Sequence, residues 1–318
     1  PALDPRRCDR YLRLQDVPGP HTMVAGVKQL LPGCTLTLPL DGQPEEARYW
    51  QARAKAAGAS SAEEFQERLG AVVRSHLVAD VPVGALLSGG LDSSLVVAHM
   101  VREASGPVHT FSVGFEDARL DERGSARQVA AHLGTVHHEQ LVTDADAAAT
   151  LPHIVAAMDE PLADYAALPT YLIARFAAQH VKVVLTGEGS DEVFAGYPFF
   201  RRDMILHNTE GQDPATARGL LARLDAANKV SKGLLMPTGA GGLNDSVRRT
   251  LGFVPTIMET WGQQGETMAG LLDDDFKAPY RGRDTFRVLL NHLDVERQLA
   301  GRDAVNKSLY VWAKTALP

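Results

Sequence analysis

Two short glycine-rich stretches carry the residues best suited to chemistry, and the first of them is 88–94. It has the sequence SGGLDSS, which combines two glycines, three hydroxyl side chains and one carboxylate. Paired glycines let a backbone turn tightly and approach a ligand, and a helix beginning there presents free N–H groups and a positive dipole end to an anion. The stretch therefore predicts a phosphate-binding loop. A strand-to-helix turn capped by a polar side chain is the structural alternative.

The spacing within this stretch disfavours two common nucleotide chemistries. It lacks the Lys-Ser/Thr ending of a Walker loop and the GxGxxG pattern of a dinucleotide-binding fold. Transfer of a γ-phosphate and transfer of a hydride are therefore both poor interpretations.

The second stretch, 186–192, has the sequence TGEGSDE and holds three carboxylates in a short turn. Acidic groups this close to a buried strand are costly unless a cation or a proton balances them. Magnesium is the natural counter-ion, and a solvated acidic turn is the structural alternative. An apolar run ends directly before Thr186, so we expect the turn at the carboxyl end of a strand, where ligands bind in parallel sheets.

Alternating strands and helices are predicted to position both stretches. The predicted strands are 83–87, 108–115, 136–142 and 181–186, and the predicted helices between them are 92–103, 122–133, 145–158 and 168–179. This alternation predicts an α/β fold with a doubly wound parallel sheet and helices on both faces. Residues 1–50 are rich in turn formers and predict a small hairpin region with a β-like stretch at 34–40, and the C-terminal part is predicted to be helical. A further helix is expected to begin at Ser60 or Ser61 as its cap.

The composition is that of an ordinary globular protein. The 318 residues are 45% hydrophobic and 22% charged, with a net charge of −7. We therefore expect no nucleic-acid partner, and no apolar run approaches the roughly 18 residues that a membrane span needs. Cys8 and Cys34 have no CxxC spacing, so neither a disulfide framework nor a zinc site is predicted, and the cytoplasm is the expected compartment.

The two stretches resemble those of a known family. The first matches the SGGLDS signature of the ATP-pyrophosphatases, which include GMP synthetase and NAD synthetase. The second is similar to the GEGSDE stretch of the glutamine-dependent asparagine synthetases, which continues in both cases into a Phe and a Gly-Tyr pair. The resemblance to the asparagine synthetases also covers the segments 17–33, 48–50, 107–115, 132–139 and 159–161.

This resemblance implies an adenine nucleotide alpha-hydrolase-like fold and an amide-forming reaction. ATP would adenylate the carboxylate of aspartate or an analogue, releasing pyrophosphate, and ammonia would then displace AMP. Glu188 matches the glutamate thought to take a proton from ammonia, and Asp92 and Asp191 match magnesium-side carboxylates. The positions that match the family's ATP contacts are Leu86, Ser88, Gly89, Gly90, Leu91, Asp92, Ser93, Val113, Thr186 and Gly187. Among them, Thr186 stands where the family more often has serine.

The resemblance also implies a domain organisation and partners. Residues 1–58 would be a connector that follows an absent glutaminase domain, and 59–318 would be the synthetase domain, shortened at its C-terminal end. A glutaminase domain or subunit would supply ammonia, and a homodimer is compatible with the resemblance. The segment 306–314 resembles the family's helix before the missing region, which makes Lys314 a further candidate for the site.

Two other functions remain open. A β-lactam or macrolactam synthetase would use the same adenylation but join an amine instead of ammonia. Because a tyrosine is expected at the position of Glu188 in the β-lactam synthetases, this glutamate favours amidation. A nucleotide-binding subunit without activity is the second alternative, and the intact acidic turn argues against it. His137 and His138 are poor candidates for a metal pair, since adjacent residues on a strand point to opposite faces.

Overall fold

The computed structural model describes residues 2–51, 53, 61–207, 213–228, 236–238, 245–280, 283–291 and 293–315. The chain forms two compact units. The sheet unit comprises Ala57–Asp159 and Asp164–Ser190, and the helical unit comprises Pro1–Ala56, Glu160–Ala163 and Asp191–Pro318. The boundary at residue 58 that the sequence suggests follows the family's segments, and it stays a prediction.

The strands and helices follow one another along the chain. The strands are β1 Cys34–Thr37, β2 Glu45–Arg48, β3 Val83–Leu86, β4 His109–Phe115, β5 Val136–Val142 and β6 Val183–Leu185. The helices are α1 Pro5–Leu14, α2 Ala62–His76, α3 Leu91–Glu103, α4 Arg123–Leu133, α5 Asp144–Ala157, α6 Ala167–Ala177, α7 Ser190–Phe194, α8 Pro198–His207, α9 Pro214–Ala227, α10 Asp245–Leu251, α11 Thr256–Ala269, α12 Asp274–Lys277, α13 Phe286–Leu290, α14 Val295–Gln298 and α15 Ala304–Thr315. Within the described residues, no helix has both the length and the apolar character needed to cross a membrane.

A parallel four-stranded sheet forms the centre of the sheet unit. Its strand order is β5-β4-β3-β6, and all three neighbouring pairs are parallel. The four strands and the helices α3 to α6 that follow them lie within a few residues of the predicted elements. The alternation of apolar runs and helical segments in the sequence was therefore sufficient to predict this sheet.

Apolar residues cover both faces of the sheet, as a doubly wound fold requires. Ala85 and Leu87 belong to a core shared with α2, α3 and α4, which includes the fully buried Val97 and Met100. Leu86, the residue between them on β3, packs in a second cluster with β4 and α6. Neighbouring residues on a strand face opposite sides, so this division confirms helices on both faces.

The helices of the sheet unit have clear starting signals. Ser61 caps α2 by accepting a hydrogen bond from the backbone N–H of Glu64 at 3.1 Å, which confirms one of the two predicted caps, whereas Ser60 lies outside the described residues. At α5, Thr143 and Asp146 form a reciprocal capping box. Such caps satisfy N–H groups that the helix itself leaves without a partner.

The helical unit begins with a helix that the sequence analysis did not predict. Helix α1 starts after Asp4, whose carboxylate accepts a hydrogen bond from the backbone N–H of Arg6 at 2.9 Å, and Pro5 occupies its first turn. A capping Asp followed by Pro is a recognisable start signal. The helix also packs closely on α11, where a side chain at Gly265 would come within 3.2 Å of the Cα of Arg13. The antiparallel hairpin of β1 and β2 was predicted.

Helices α8 to α11 and α13 to α15 surround an aromatic and aliphatic core in the helical unit, whose fully buried members include Phe199 and Phe200. One carboxylate lies inside this core. Asp203 accepts hydrogen bonds from the backbone N–H and the hydroxyl of Thr256 at 2.9 and 2.5 Å, and from the hydroxyl of Ser308 at 2.6 Å. Burial raises the pKa of Asp203 to about 6, although the three hydrogen bonds oppose this shift. The carboxylate thus joins α8 to α11 and α15.

Candidate functional site

The strand order brings the two glycine-rich stretches to one place in the sheet unit. Strands β3 and β6 are adjacent and parallel, with Ala85 opposite Leu185. The stretch 88–90 follows β3 and the turn 186–189 follows β6, so both leave the carboxyl edge of the sheet. From β3 the chain continues outward through β4 and β5 on one side, and it then returns to form β6 on the other side of β3. Ligands bind at such a switch point in open α/β sheets.

Gly187 brings the two stretches into contact. A Cβ atom at this position would lie 2.8 Å from the backbone nitrogen of Ser93 and 3.2 Å from the Cβ of Asp92. The turn after β6 therefore lies against the first turn of α3, and only a residue without a side chain permits the approach.

Hydrogen bonds between its own residues hold the first stretch in shape. The hydroxyls of Ser88 and Ser93 lie 3.0 Å apart, and Ser88 also accepts a hydrogen bond from the backbone N–H of Gly90 at 3.2 Å. Gly89 has a φ of +82°, and a side chain there would lie 2.5 Å from the carbonyl carbon of Ser125. The loop is thus pressed against the start of α4.

The start of α3 is suited to an anion. Its N-cap is Gly90, so no side chain accepts hydrogen bonds from its first N–H groups, in contrast to the capped helices α2 and α5. The buried hydroxyl oxygen of Ser94 has no hydrogen-bond partner within the described residues. Uncapped N–H groups, a positive dipole end and an unpaired buried hydroxyl fit the phosphates of a nucleotide.

The residues expected to line the adenosine lie at the same edge. Leu86 ends β3 and packs near Phe111, and Val113 lies two residues further along β4 on the same side as Phe111. Leu91 has 75% of its surface accessible, so its side chain adds little to a pocket in this structure.

The turn after β6 presents Glu188 to solvent. The hydroxyl of Thr186 accepts a hydrogen bond from the backbone N–H of Glu188 at 3.2 Å, which orders the turn. Gly189 follows with a φ of +88°, a conformation that glycine adopts without strain. The position of Glu188 is open to a second reactant.

The other two carboxylates of this stretch belong to the helical unit. A side chain at Gly196 would collide with the carboxylate of Asp191, whose Oδ1 would lie 1.7 Å from the added carbon. Glu192 is buried and accepts hydrogen bonds from the hydroxyl of Tyr197 at 2.8 Å and from Nε1 of Trp312 at 3.4 Å. The expectation that magnesium balances all three carboxylates is therefore wrong for Glu192, because protein donors already satisfy it.

The few carboxylates near the phosphate-binding loop suit magnesium better than a metal ion that protein side chains hold by themselves. Within the described ranges, no three His, Cys, Asp or Glu side chains cluster closely enough to hold a metal ion. Magnesium commonly binds one or two carboxylates together with substrate phosphates and water. Asp92, in the first turn of α3, offers one such carboxylate next to the phosphate-binding loop.

An ion pair that was not predicted from the sequence lies near the carboxyl end of β4. Arg123 donates two hydrogen bonds to Asp121, both at 2.8 Å, and this contact lowers the pKa of the aspartate to about 2. Both side chains lie over Gly114, where an added Cβ would lie 2.1 Å from Asp121 Oδ1. Their place between the end of β4 and the first residue of α4, in a connection at the carboxyl edge of the parallel sheet, was the available signal.

The remaining candidates lie elsewhere. The ring of His137 contacts the hydroxyls of Thr110 and Ser112, whereas His138 stacks on Phe111, so the two imidazoles occupy opposite faces as predicted. Lys314, on α15 of the helical unit, lies 5.9 Å from the ring centre of Tyr310.

Comparison with known proteins adds a family assignment to this geometry. Residues 64–318 match the family model described as asparagine synthase. Asparagine synthetase [glutamine-hydrolyzing] 1 of Bacillus subtilis (strain 168) is 38% identical over 207 residues, which are 64% of this chain and 33% of that protein. Asparagine synthetase B [glutamine-hydrolyzing] of Escherichia coli (strain K12) is 37% identical over 175 residues, which are 50% of this chain and 31% of that protein.

The chain thus spans about a third of the length of these curated relatives. Among solved structures, the NH3-dependent NAD synthetase from Campylobacter jejuni aligns with 74% of this chain and 98% of its own, at 13% identity and a TM-score of 0.33.

Proposed function

Because this chain belongs to the asparagine synthase family, we propose that it is an ATP-dependent ligase that adenylates a carboxylate and converts it into an amide. The observation that carries this proposal is the contact of Gly187 with the first turn of α3, which joins the loop after β3 to the turn after β6. Because of this contact, the start of α3, which is suited to phosphate, and Glu188 on its exposed turn lie at the same edge of the sheet.

The first stretch is proposed to bind the leaving pyrophosphate. The N–H groups at the start of α3 are not occupied by a side-chain cap, and those of the glycine loop stand directly before them. Hydrogen-bond donors fixed in advance stabilise charge that develops on a leaving group, and they do so without reorganising during the reaction. Leu86, Val113 and Gly187 are proposed to contact the adenosine.

Asp92 is proposed to orient the cation that accompanies ATP, with Asp191 as a second magnesium-side carboxylate on the strength of the family resemblance. When bound, magnesium would neutralise charge on the phosphates. Asp92 lies in the first turn of α3, one residue before Ser93 of the loop. Its removal should therefore affect adenylation rather than folding.

Glu188 is proposed to act in the second half of the reaction. Ammonium has no free electron pair, so it must lose a proton before its nitrogen attacks the acyl-adenylate carbon and AMP departs. A carboxylate on an exposed turn can accept this proton, and general bases contribute about 100-fold or more to such steps. Aspartate or an analogue is the proposed acid, and a glutaminase domain or subunit is the proposed source of ammonia.

Pyrophosphate exchange into ATP tests the adenylation step by itself. The purified protein is assayed with magnesium, ATP, labelled pyrophosphate and either aspartate or another carboxylic acid. We expect exchange that depends on the acid, and a loss of about 1,000-fold or more in Asp92→Ala. The control is Asp144→Ala, which removes a first-turn carboxylate from α5 instead. Exchange in the absence of any acid, or equal loss in both variants, would contradict the proposal.

The Glu188→Gln variant separates the two steps. With ammonium chloride as the nitrogen source, we expect exchange close to wild type and amide formation about 100-fold slower. Loss of exchange in this variant would mean that Glu188 acts in adenylation, and the proposed division of roles would be wrong.

A further inference from the structure

The helical unit contains a cavity of about 580 Å³ that the proposed ligase chemistry does not use. Residues that precede the hairpin, the hairpin itself, the segment Glu160–Leu162 and the end of α15 line it, and all of them belong to the helical unit. Its size is within the range of small-molecule sites. The nucleotide-binding loops, in contrast, belong to the sheet unit.

The walls of the cavity are mainly apolar. Val17 is 6% exposed and Leu289 is 2% exposed, so both contribute a buried surface, while Trp50 lines the cavity and keeps 61% of its own surface accessible. An apolar enclosure that retains an accessible aromatic ring favours a ligand with a hydrocarbon body.

Four charged side chains also line the cavity, two of each sign: Asp16, Glu160, Arg48 and Lys314. Within the described part of the chain, none of the four forms an ion pair with another residue. Arg48 is exposed, but Asp16, Glu160 and Lys314 are partly buried, and a buried charge is costly unless it is compensated. A ligand that carries both signs would compensate them.

The charges are grouped by sign. Burial raises the pKa of Asp16 to about 7, and the nearby Glu160 raises it further, while neither cation contributes. Burial and Arg48 lower the pKa of Lys314, while neither carboxylate contributes. Among these four described residues, no ion pair joins either carboxylate to either cation, so each carboxylate oxygen lies more than 4.0 Å from the nitrogens of Arg48 and Lys314, and the two signs are separated within one cavity.

We propose that this cavity binds a free amino acid with an apolar body, whose ammonium contacts Asp16 and Glu160 and whose carboxylate contacts Lys314 and Arg48. The separated charges of opposite sign match the ammonium and the carboxylate of a zwitterion, and the apolar part of the wall matches its hydrocarbon body. An inorganic anion or cation alone would leave the opposite pair uncompensated.

Calorimetric titration of the full chain tests this with two zwitterions, L-leucine and 6-aminohexanoate. Each is compared with relatives of similar shape that carry one charge: isocaproate and isoamylamine for leucine, and hexanoate and hexylamine for 6-aminohexanoate. We expect at least one zwitterion to bind about tenfold or more tightly than both of its relatives, the factor that one lost charged contact is commonly worth. If neither zwitterion shows this preference, or if no compound binds, the proposal is wrong.

Variants locate the binding. Lys314→Met keeps the length of the side chain and removes its charge, and Asp16→Asn keeps its shape, so each should weaken binding of the zwitterion about tenfold or more. Lys28→Met is the matched control, because Lys28 is exposed and does not line the cavity. Zwitterion binding that both cavity variants leave unchanged would overturn the proposal.

The pH dependence gives a second readout. Asp16 must be ionised to hold an ammonium group, and its pKa of about 7 means that the ionised fraction rises between pH 6 and 8. Binding should therefore tighten several-fold over this range in the wild type and not in Asp16→Asn. Asp92→Ala should bind the zwitterion normally, so a failure of the ligase proposal and a failure of this one are distinguishable.

Discussion

At the carboxyl edge of the parallel sheet, some polar groups have no side-chain partner and are left for a ligand, whereas the histidines near the amino edge contact one another. Helix α3 starts at Gly90 without a side-chain cap, and the buried hydroxyl of Ser94 has no partner among the described residues. Both groups follow the same strand, β3. Since buried polar groups are normally satisfied, these exceptions indicate a binding surface.

The amino edge contains a cluster of rings that satisfy one another. His109 and His138 share a contact of 3.0 Å between ring nitrogens, and the rings of His138 and His180 are centred 4.1 Å apart. Phe111 stacks on His138 at 5.1 Å. On one sheet, polar groups without partners thus mark the candidate binding edge, whereas the imidazoles near the other edge pack against one another.

The largest expected effect comes from Gly89→Ala at the carboxyl edge. The new side chain would force a φ of +82° on alanine and meet the backbone of Ser125 at 2.5 Å. We expect the free energy of unfolding to fall by about 3 kcal/mol and pyrophosphate exchange to be lost. Gly134→Ala is the matched control: its φ is +70° but no atom lies within 4 Å, so strain alone should cost about 1 kcal/mol. Equal losses in urea titrations would show that the loop is not confined by α4.

The next effect is expected at the amino edge, with His138→Ala. This change removes the ring that contacts His109, Phe111 and His180, so unfolding should become easier by about 2 kcal/mol. Exchange activity should stay within about twofold of wild type, since the cluster lies at the opposite edge. The exposed His153 provides a control, because His153→Ala should change stability by about 0.5 kcal/mol or less. A large loss of activity in a folded His138→Ala protein would show that the ring cluster contributes to activity as well as to packing.

Acidification should weaken the amino edge by a smaller amount. Burial lowers the pKa of both His137 and His138, and neighbouring imidazoles lower that of His138 further. A histidine whose pKa is lower in the folded protein contributes stability above its unfolded pKa, near 6.5, and loses it as the pH falls through the folded value.

We therefore expect the unfolding free energy of the wild type to fall relative to that of His138→Gln between pH 7.5 and 5.5, by up to about 1 kcal/mol. Asp203 has the opposite sign, because its raised pKa stabilises the folded state as the pH falls. Asp203 is present in both the wild type and His138→Gln, so its effect cancels when the two unfolding free energies are subtracted. Parallel stability curves for the two proteins would contradict the prediction.

The smallest effect on stability is expected from Ser94→Ala. Removing a buried hydroxyl without a partner should leave the free energy of unfolding within about 0.5 kcal/mol of wild type or raise it slightly, while the KM for ATP should increase a few-fold. Ser93→Ala is the control, because the Ser93 hydroxyl contacts Ser88 and its loss should cost about 1 kcal/mol. A clear loss of stability in Ser94→Ala would show that its hydroxyl has a structural role.

Much of the sheet unit could be predicted because its signals are local. Apolar runs identify the strands, and Ser61 and the glycines mark where helices begin and loops turn. The helical unit was harder, since α1 is a polar helix whose only early signals are Asp4 and Pro5, and its packing on α11 depends on Gly265, far along the chain.

In the candidate site, too, features set by local sequence could be predicted and contacts between distant residues could not. The sequence was sufficient to predict that the loops after β3 and β6 belong together, because parallel strands end at one edge. It was not sufficient to separate Glu192 from its acidic neighbours, since the donors that satisfy it include Trp312, 120 positions away. The pair Asp121 and Arg123 was missed because only the structure shows both side chains over Gly114.

The order of strands also has a consequence for the newly made chain. Strand β3 lies between β4 and β6, yet β6 leaves the ribosome only after β4, β5 and their helices have been made. Until then one side of β3 has no partner, and an unpaired strand edge readily recruits strands of other chains. A pause in translation between residues 142 and 183 would therefore prolong the time during which this side of β3 is unpaired and open to aggregation.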